Sequence, residues 1–468
     1  MKLSQFLILL TVSFLFVYCT KDETLVDQPF EDTNLEPEAG SEEPESPTPI
    51  VYFTYEIGSN INTKDTNDFI LIHDNKGKLL DFKTYESNQI LVFEALKDSL
   101  TETISITKLH AQIGNGYESF GFETNVEVVQ ESVWKSTNSY LAPESVGTFN
   151  LIIDNIPEIS QYYIKTRFGQ ISVANEIMNM NDGKALVLNG IDIMAQEEYS
   201  ISILDVDKNL RHLFFNAPLD GETVSFDYKD LMDYDSYLDV DLPSNSQHLC
   251  SVIGFITDFS RDAKNTFETS LDMNFGQLEP SAFARLGYLD KYENQWTRFF
   301  SRTDDYTYLY QKVGGRPDKI TVAPKPEIII KEGSMTNLSF TTSTDYFTKG
   351  VRWSRTQETG SGEDYFYSYI SWSIISPADS GPVIFELPLA LKEAYPQIDL
   401  EELVLDNITL YTQGHPYQTY LKYQFEEPEQ HREGEYESLS IDFNVKNAKM
   451  NLKPQRYAND LAPNFKFH

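Results

Sequence analysis

From Val51 onward the chain is written in short runs of β-branched and aromatic residues alternating with polar ones, broken near every tenth residue by Asp, Asn, Gly or Pro. A period of two sends successive side chains to opposite faces of a strand, and turn residues at this spacing leave little room for helices. The expected fold class is all-β, with tandem immunoglobulin-like β-sandwich units. In Tyr237-Leu238-Asp239-Val240-Asp241-Leu242 the even positions are apolar, so Leu238, Val240 and Leu242 are expected to face a core. Helix is expected only as a turn or two at Pro280 to Leu286 and at Leu387 to Tyr395.

Two stretches of the chain align. VYFTYEI, DFILIHDNKGKLLDF, ILVFEAL and ETISITKL return about 131 to 134 residues later as ALVLNGI, YSISILDVDKNLRHLF, TVSFDYK and SYLDVDL. In this alignment Asp74 and Asp205 open the same hairpin turn, Leu79 and Leu210 resume the strand, and Phe93 matches Phe226, while Gly77 has no glycine counterpart. FNLIIDNIPEISQYYI is echoed by LDMNFGQLEPSAFARL, and more weakly by GPVIFELPLALKEAYPQ. The expectation is three β-sandwich units, at 51–184, 185–320 and 321–468.

Before the strands, Lys2 precedes a thirteen-residue apolar run, Phe6 to Tyr18, too short to span a bilayer at about 20 residues. Residues 1–18 therefore read as a signal peptide. Residues 19–50 read as a disordered acidic tether: from Thr20 to Ile50 they carry ten acids against Lys21 alone, with Pro, Ser and Thr throughout. The segment Phe16-Val17-Tyr18-Cys19-Thr20-Lys21-Asp22-Glu23 resembles the lipobox of bacterial lipoproteins, and its acidic continuation is similar to the surface-export signal of Bacteroidota lipoproteins. Phe16 and Tyr18 depart from that pattern, which prefers leucine and a small residue there. The resemblance implies lipidation at Cys19 and an outer-membrane protein facing the cell exterior, with the membrane as a partner through its acyl chains.

If Cys19 carries lipid, Cys250, the second of two cysteines, has no disulfide partner and reads as a small buried hydrophobe. The formal net charge of −35 repels nucleic acid and anionic lipid, so neither is expected as a main partner. The seven histidines show no zinc spacing, and no Gly-x-Ser-x-Gly elbow or phosphate-cradling loop occurs. The acids Asp205, Asp207 and Asn209, with Asp233, Asp235, Asp239 and Asp241, invite a calcium reading but lack the EF-hand glycine and terminal glutamate. No metal or cofactor is expected. Paired carboxylates for glycoside hydrolysis have Glu363 and Asp364 as their best candidates, although 72 acids make a close pair uninformative.

The aromatic residues carry more. Tyr365, Tyr367 and Tyr369 alternate with Phe366, Ser368, Ile370 and Trp372, so the even set can pack inside while the tyrosines form a row on the other face. Tyr306, Tyr308 and Tyr310 form a second row. Rigid amphipathic rings suit a sugar or a protein partner, and cross-strand packing would use them equally well. Trp134, Trp296 and Trp353 read as core. The function expected is a non-enzymatic surface lipoprotein that binds an extracellular ligand, a glycan or an envelope protein among the candidates, through these six tyrosines, or that scaffolds a partner protein through its sandwich faces. The alternative is a glycan-binding accessory or a surface glycan hydrolase.

Overall fold

Asp74 ends the first long apolar run, and its carboxylate turns the chain by accepting the backbone N–H groups of Lys76 and Lys78, both at 2.9 Å. Strands and turns of this kind build the whole computed structural model, which describes residues 49–59, 66–136, 143–167, 169–170, 174–180, 183–194, 198–257, 259, 265–274, 282–361, 365–381, 383–428 and 433–443. The protein is all-β. The leader, Cys19 and the tether lie outside the described residues.

The first strands are β1 (Ile50–Glu56), β2 (Thr66–Asp74), β3 (Leu79–Tyr85), β4 (Ile90–Ala95), β5 (Thr103–Gly114), β6 (Tyr117–Val129) and β7 (Ser132–Lys135). β4, β1 and β7 form a small sheet. Its Tyr52, Phe53, Tyr55 and Trp134 pack against Ile70, Ile72, Ile104 and Ile106 of β2 and β5. Trp134 stacks on Phe425 at 3.9 Å between ring centres.

Next come β8 (Ser145–Asp154), β9 (Ile159–Thr166), β10 (Gly169–Gln170), β11 (Ala174–Met180), β12 (Gly183–Met194), β13 (Glu198–Asp205), β14 (Leu210–Asn216), β15 (Thr223–Asp227) and β16 (Met232–Asp233). They make two sheets, β11-β12-β8-β15 and β10-β9-β13-β14-β16. Phe149, Leu151, Leu186 and Leu188 meet Ile164, Tyr199, Ile201 and Ile203 between the sheets, a sandwich core. The β13–β14 turn repeats the β2–β3 turn: Asp205 accepts the Asn209 N–H at 2.8 Å. Lys208 stands where the first copy has Gly77, and both are left-handed, with φ of +66° and +86°. The glycine lost from the sequence pattern is thus a conformation retained.

The remaining strands are β17 (Ser236–Asp241), β18 (Gln247–Phe255), β19 (Thr266–Asn274), β20 (Phe283–Tyr288), β21 (Gln295–Arg302), β22 (Thr307–Gly314), β23 (Ile328–Ser334), β24 (Asn337–Thr342), β25 (Thr348–Thr359), β26 (Phe366–Pro377), β27 (Val404–Gln413) and β28 (Gly434–Asp442). Leu238 and Val240 are buried between exposed Asp239 and Asp241, and Leu242 packs on the same core. The helix expected at Pro280 to Leu286 is a correction: Phe283–Tyr288 is a strand paired with β17, because Ala284, Leu286 and Tyr288 alternate into that core. The helix expected near Leu387 forms as α1 (Leu389–Ala394), and α2 (Tyr417–Leu421) is a second short one.

One sheet joins these groups. Its order is β19-β18-β21-β22-β28-β27-β25-β26-β6-β5-β2-β3, so it takes strands from each of the stretches 51–184, 185–320 and 321–468. The join between the early and late strands is parallel, β6 against β26, over Tyr117 to Asn125 and Tyr367 to Ile375. One face of the joined strands buries Phe120, Phe122, Ile370 and Trp372 with Val351 and Trp353.

Candidate functional site

From Ser368 onward, alternation along β26 divides its side chains as the sequence implies: Ser368, Ile370 and Trp372 are buried, while Tyr367 and Tyr369 are half-buried on the opposite face. Phe366, expected with the inner set, is instead exposed, because it lies at the end of the ladder opposite Thr359. Tyr365, just before the strand, is 39% exposed. Residues opposite one another in a ladder project to the same side. The parallel partner therefore sets Tyr117 beside Tyr367, Ser119 beside Tyr369 and Gly121 beside Ser371. On the other flank β25 contributes Glu358 beside Tyr367 and Thr356 beside Tyr369.

The face continues onto β5, where Gln112 pairs with Ser119 and His110 with Gly121. His110 Nδ1 lies 2.6 Å from the buried carboxylate of Asp68, which fixes an otherwise exposed ring over the sheet. A Cβ built on Gly121 would meet nothing within 4 Å, so the floor between the rings is open. Tyr367 keeps its proton, since burial and the neighbouring Tyr369 hold its phenol above the ordinary value. The result is a platform of tyrosine rings around small residues, rimmed by donors and acceptors.

The platform is closed at one end. There Lys108 lies within 4.6 Å of the Phe425 ring centre and 5.2 Å of Tyr55. Opposite it Glu123 is pushed up by burial against the pull of Lys108.

The second tyrosine row sits elsewhere. Tyr308 is fully buried and Tyr310 is 3% exposed, both inside the core beneath β17 and β20, and Tyr306 packs against the same core. Their hydroxyls are held internally: Tyr308 donates to Glu437 at 2.7 Å, Tyr310 to Glu435 at 3.1 Å and Tyr306 to the Ala323 carbonyl at 3.0 Å. Burial and these carboxylates raise the Tyr308 and Tyr310 phenols far above the ordinary value. The row's rings are structural here, and those of Tyr308 and Tyr310 offer no face to a ligand.

Trp134, Trp296 and Trp353 are buried, as is Cys250, whose thiol burial pushes far up. Most of the acid cluster is used internally: Asp205 holds its turn, Arg211 pairs with Asp233, Arg285 with Asp239, and Asp235 accepts the Asp290 N–H, while Asp207 and Asp241 are exposed. No group of three or more His, Cys, Asp or Glu that could hold a metal occurs among the described residues. Glu363 and Asp364 lie outside the described residues.

Sequence reasoning missed Tyr117, Ser119, Gly121, His110 and Asp68. Tyr117 alternates with buried Glu118 and Phe120 as Tyr367 does with Ser368 and Ile370, but nothing local says that the two strands are neighbours.

No protein-family model matches the chain, and no curated protein does. Among solved structures it is similar to a Bacteroides ovatus protein described as the mixed-linkage glucan utilization locus SGBP-B in complex with a mixed-linkage heptasaccharide. The identity is 10%, over 81% of this chain and 89% of that one, and the TM-score is 0.11. A superposition that loose carries no argument about this chain.

Proposed function

We propose that the protein is a non-enzymatic surface lipoprotein, anchored through Cys19, that holds an extracellular polysaccharide against the platform of the long sheet. The observation that carries this reading is the ladder register that gathers Tyr117, Tyr367 and Tyr369 around the open floor at Gly121. A pyranose has an apolar C–H face and a polar rim. Tyrosine rings supply area for the first at small entropic cost, and Gln112, Thr356, Glu358 and the His110–Asp68 pair supply partners for the second. The net charge of −35 favours an uncharged chain over an anionic one.

Affinity electrophoresis of the purified body in gels containing glucan, mannan, xylan or starch tests the reading. At least one neutral polysaccharide should retard the protein, and Tyr367→Ala or Tyr369→Ala should weaken that retardation roughly tenfold, the order expected for one ring at a contact centre. Retardation by none of them, or retardation indifferent to both substitutions, would remove the platform from the function. For the anchor, mass spectrometry of the mature protein should find acyl chains on Cys19, and protease added to intact cells should digest the body. A bare thiol or a protected body would refute surface anchoring.

A further inference from the structure

We propose that the cleft beneath the β23–β24 hairpin is a second ligand site, which takes a single neutral pyranose unit. The hairpin is two strands laid over a much wider sheet, and on the side of Ala378, Asp379, Ser380, Gly381 and Val383 it leaves a cavity of about 260 Å³. That is below the usual range for drug-sized ligands and fits one small ring.

The cavity is built in two parts. Its floor is apolar, with Val351 and Ile374 over Trp353, and one wall is the stacked pair Phe340 and Tyr346, whose ring centres are 6.1 Å apart at 21°. Its rim is polar, with Ser376, Ser380, Asp379 and Lys349. The Lys349 ammonium donates to the carbonyls of Ala378 at 2.9 Å and Ser380 at 2.7 Å. An ammonium has three N–H groups, so these two bonds fix its position and leave one donor for a ligand oxygen.

Charge selects the ligand's class. Asp379 and Glu127 both act on Lys349, so one positive charge faces two negative ones and an anion gains nothing there. A purely aliphatic ligand would strip water from Lys349 and Asp379 and return no hydrogen bond. An uncharged ring with an apolar face and a hydroxyl rim satisfies floor, wall and rim together.

Val351 and Trp353 point to the face of β25 opposite Thr356, so this cleft and the tyrosine platform lie on opposite faces of one sheet. The two sites can therefore be tested independently.

Ligand-observed NMR titration of the whole mature protein with methyl glucopyranoside, methyl mannopyranoside and methyl galactopyranoside is the test, with glucuronate and hexan-1-ol as the anionic and aliphatic competitors. At least one methyl pyranoside should bind. Its affinity should fall about tenfold in Phe340→Ala and in Lys349→Met, and stay unchanged in Tyr367→Ala. Phe340→Leu, which keeps apolar volume and removes the ring face, should weaken binding likewise and guards against a folding defect. Binding of no methyl pyranoside, preference for glucuronate or hexan-1-ol, or loss in Tyr367→Ala with Phe340→Leu and Lys349→Met unaffected would each overturn the proposal.

Discussion

Replacing Glu268 by Gln removes the carboxylate that two buried basic side chains share. Lys165 on β9 and Arg298 on β21 both contact it, Arg298 Nη2 at 2.6 Å, where β9 of the 145–233 sandwich meets the long sheet. The side chains of Lys165, Arg298 and Glu268 are 11%, 10% and 7% exposed. Breaking a buried ion pair by removing one partner costs about 3–5 kcal/mol, since the remaining charge is left uncompensated in low dielectric. The Arg298 guanidinium then loses its carboxylate, so Glu268→Gln should fall within that range.

Lys165 behaves differently. Burial first, and then the neighbouring Arg298, pull its pKa well below the ordinary lysine value, so its charged form is already disfavoured in the folded state. Lys165→Met leaves a one-to-one Arg298–Glu268 pair and should cost under about 1 kcal/mol or stabilise. Between the lowered folded value and the ordinary value near 10.5 the unfolded chain binds more protons than the folded one. Wild-type stability should therefore gain from this group as pH rises through that window, and Lys165→Met should lose the gain. Urea denaturation followed by intrinsic fluorescence, repeated from pH 7 to 10, measures all three effects. Equal losses in Glu268→Gln and Lys165→Met, or a loss under 1 kcal/mol in Glu268→Gln, would refute the argument.

Tyr308→Ala should destabilise by about 3–4 kcal/mol through a core cavity and a Glu437 left without its donor, whereas Tyr367→Ala should stay under about 1 kcal/mol; thermal denaturation separates them. His73 is buried with Nε2 at 2.9 Å from the Glu386 carbonyl, and burial lowers its pKa from 6.5 to about 4. The folded state then refuses a proton that the unfolded chain accepts, so about 3 kcal/mol, fully present above pH 6.5, should be lost as pH falls toward 4. His73→Gln should flatten that part of the urea midpoint profile. Lys208→Gly should stabilise by about 0.5–1 kcal/mol by relieving a left-handed lysine, while Gly77→Ala should destabilise by more, because its Cβ would also collide with the Ile384 carbonyl; both are read from urea midpoints. Alkylation of Cys250 by iodoacetamide should be negligible until the protein unfolds, and rapid labelling in native buffer would contradict its burial.

The two tyrosine rows have the same alternating pattern and opposite fates. Tyr365, Tyr367 and Tyr369 line an open face, while Tyr308 and Tyr310 lie under β17 and β20. Period two tells which residues share a face but not which face is covered, because the cover comes from strands at other positions in the chain. The same limit explains Phe283–Tyr288: a short apolar run fits a helical turn or a strand, and the pairing with β17 chose the strand.

Strand alternation, the turn chemistry at Asp74 and Asp205, and the core positions of Leu238, Val240 and the tryptophans follow from the sequence by itself, since each depends on backbone geometry within a few residues. The platform does not. Tyr117 and Tyr367 become neighbours only through a parallel ladder between strands far apart in the chain, and His110 reaches them through a third strand. Parallel partners are joined by long crossovers that fix no register locally, so burial of Phe120, Phe122, Ile370 and Trp372 in one core aligns the strands, and the residues on their other face assemble as a consequence.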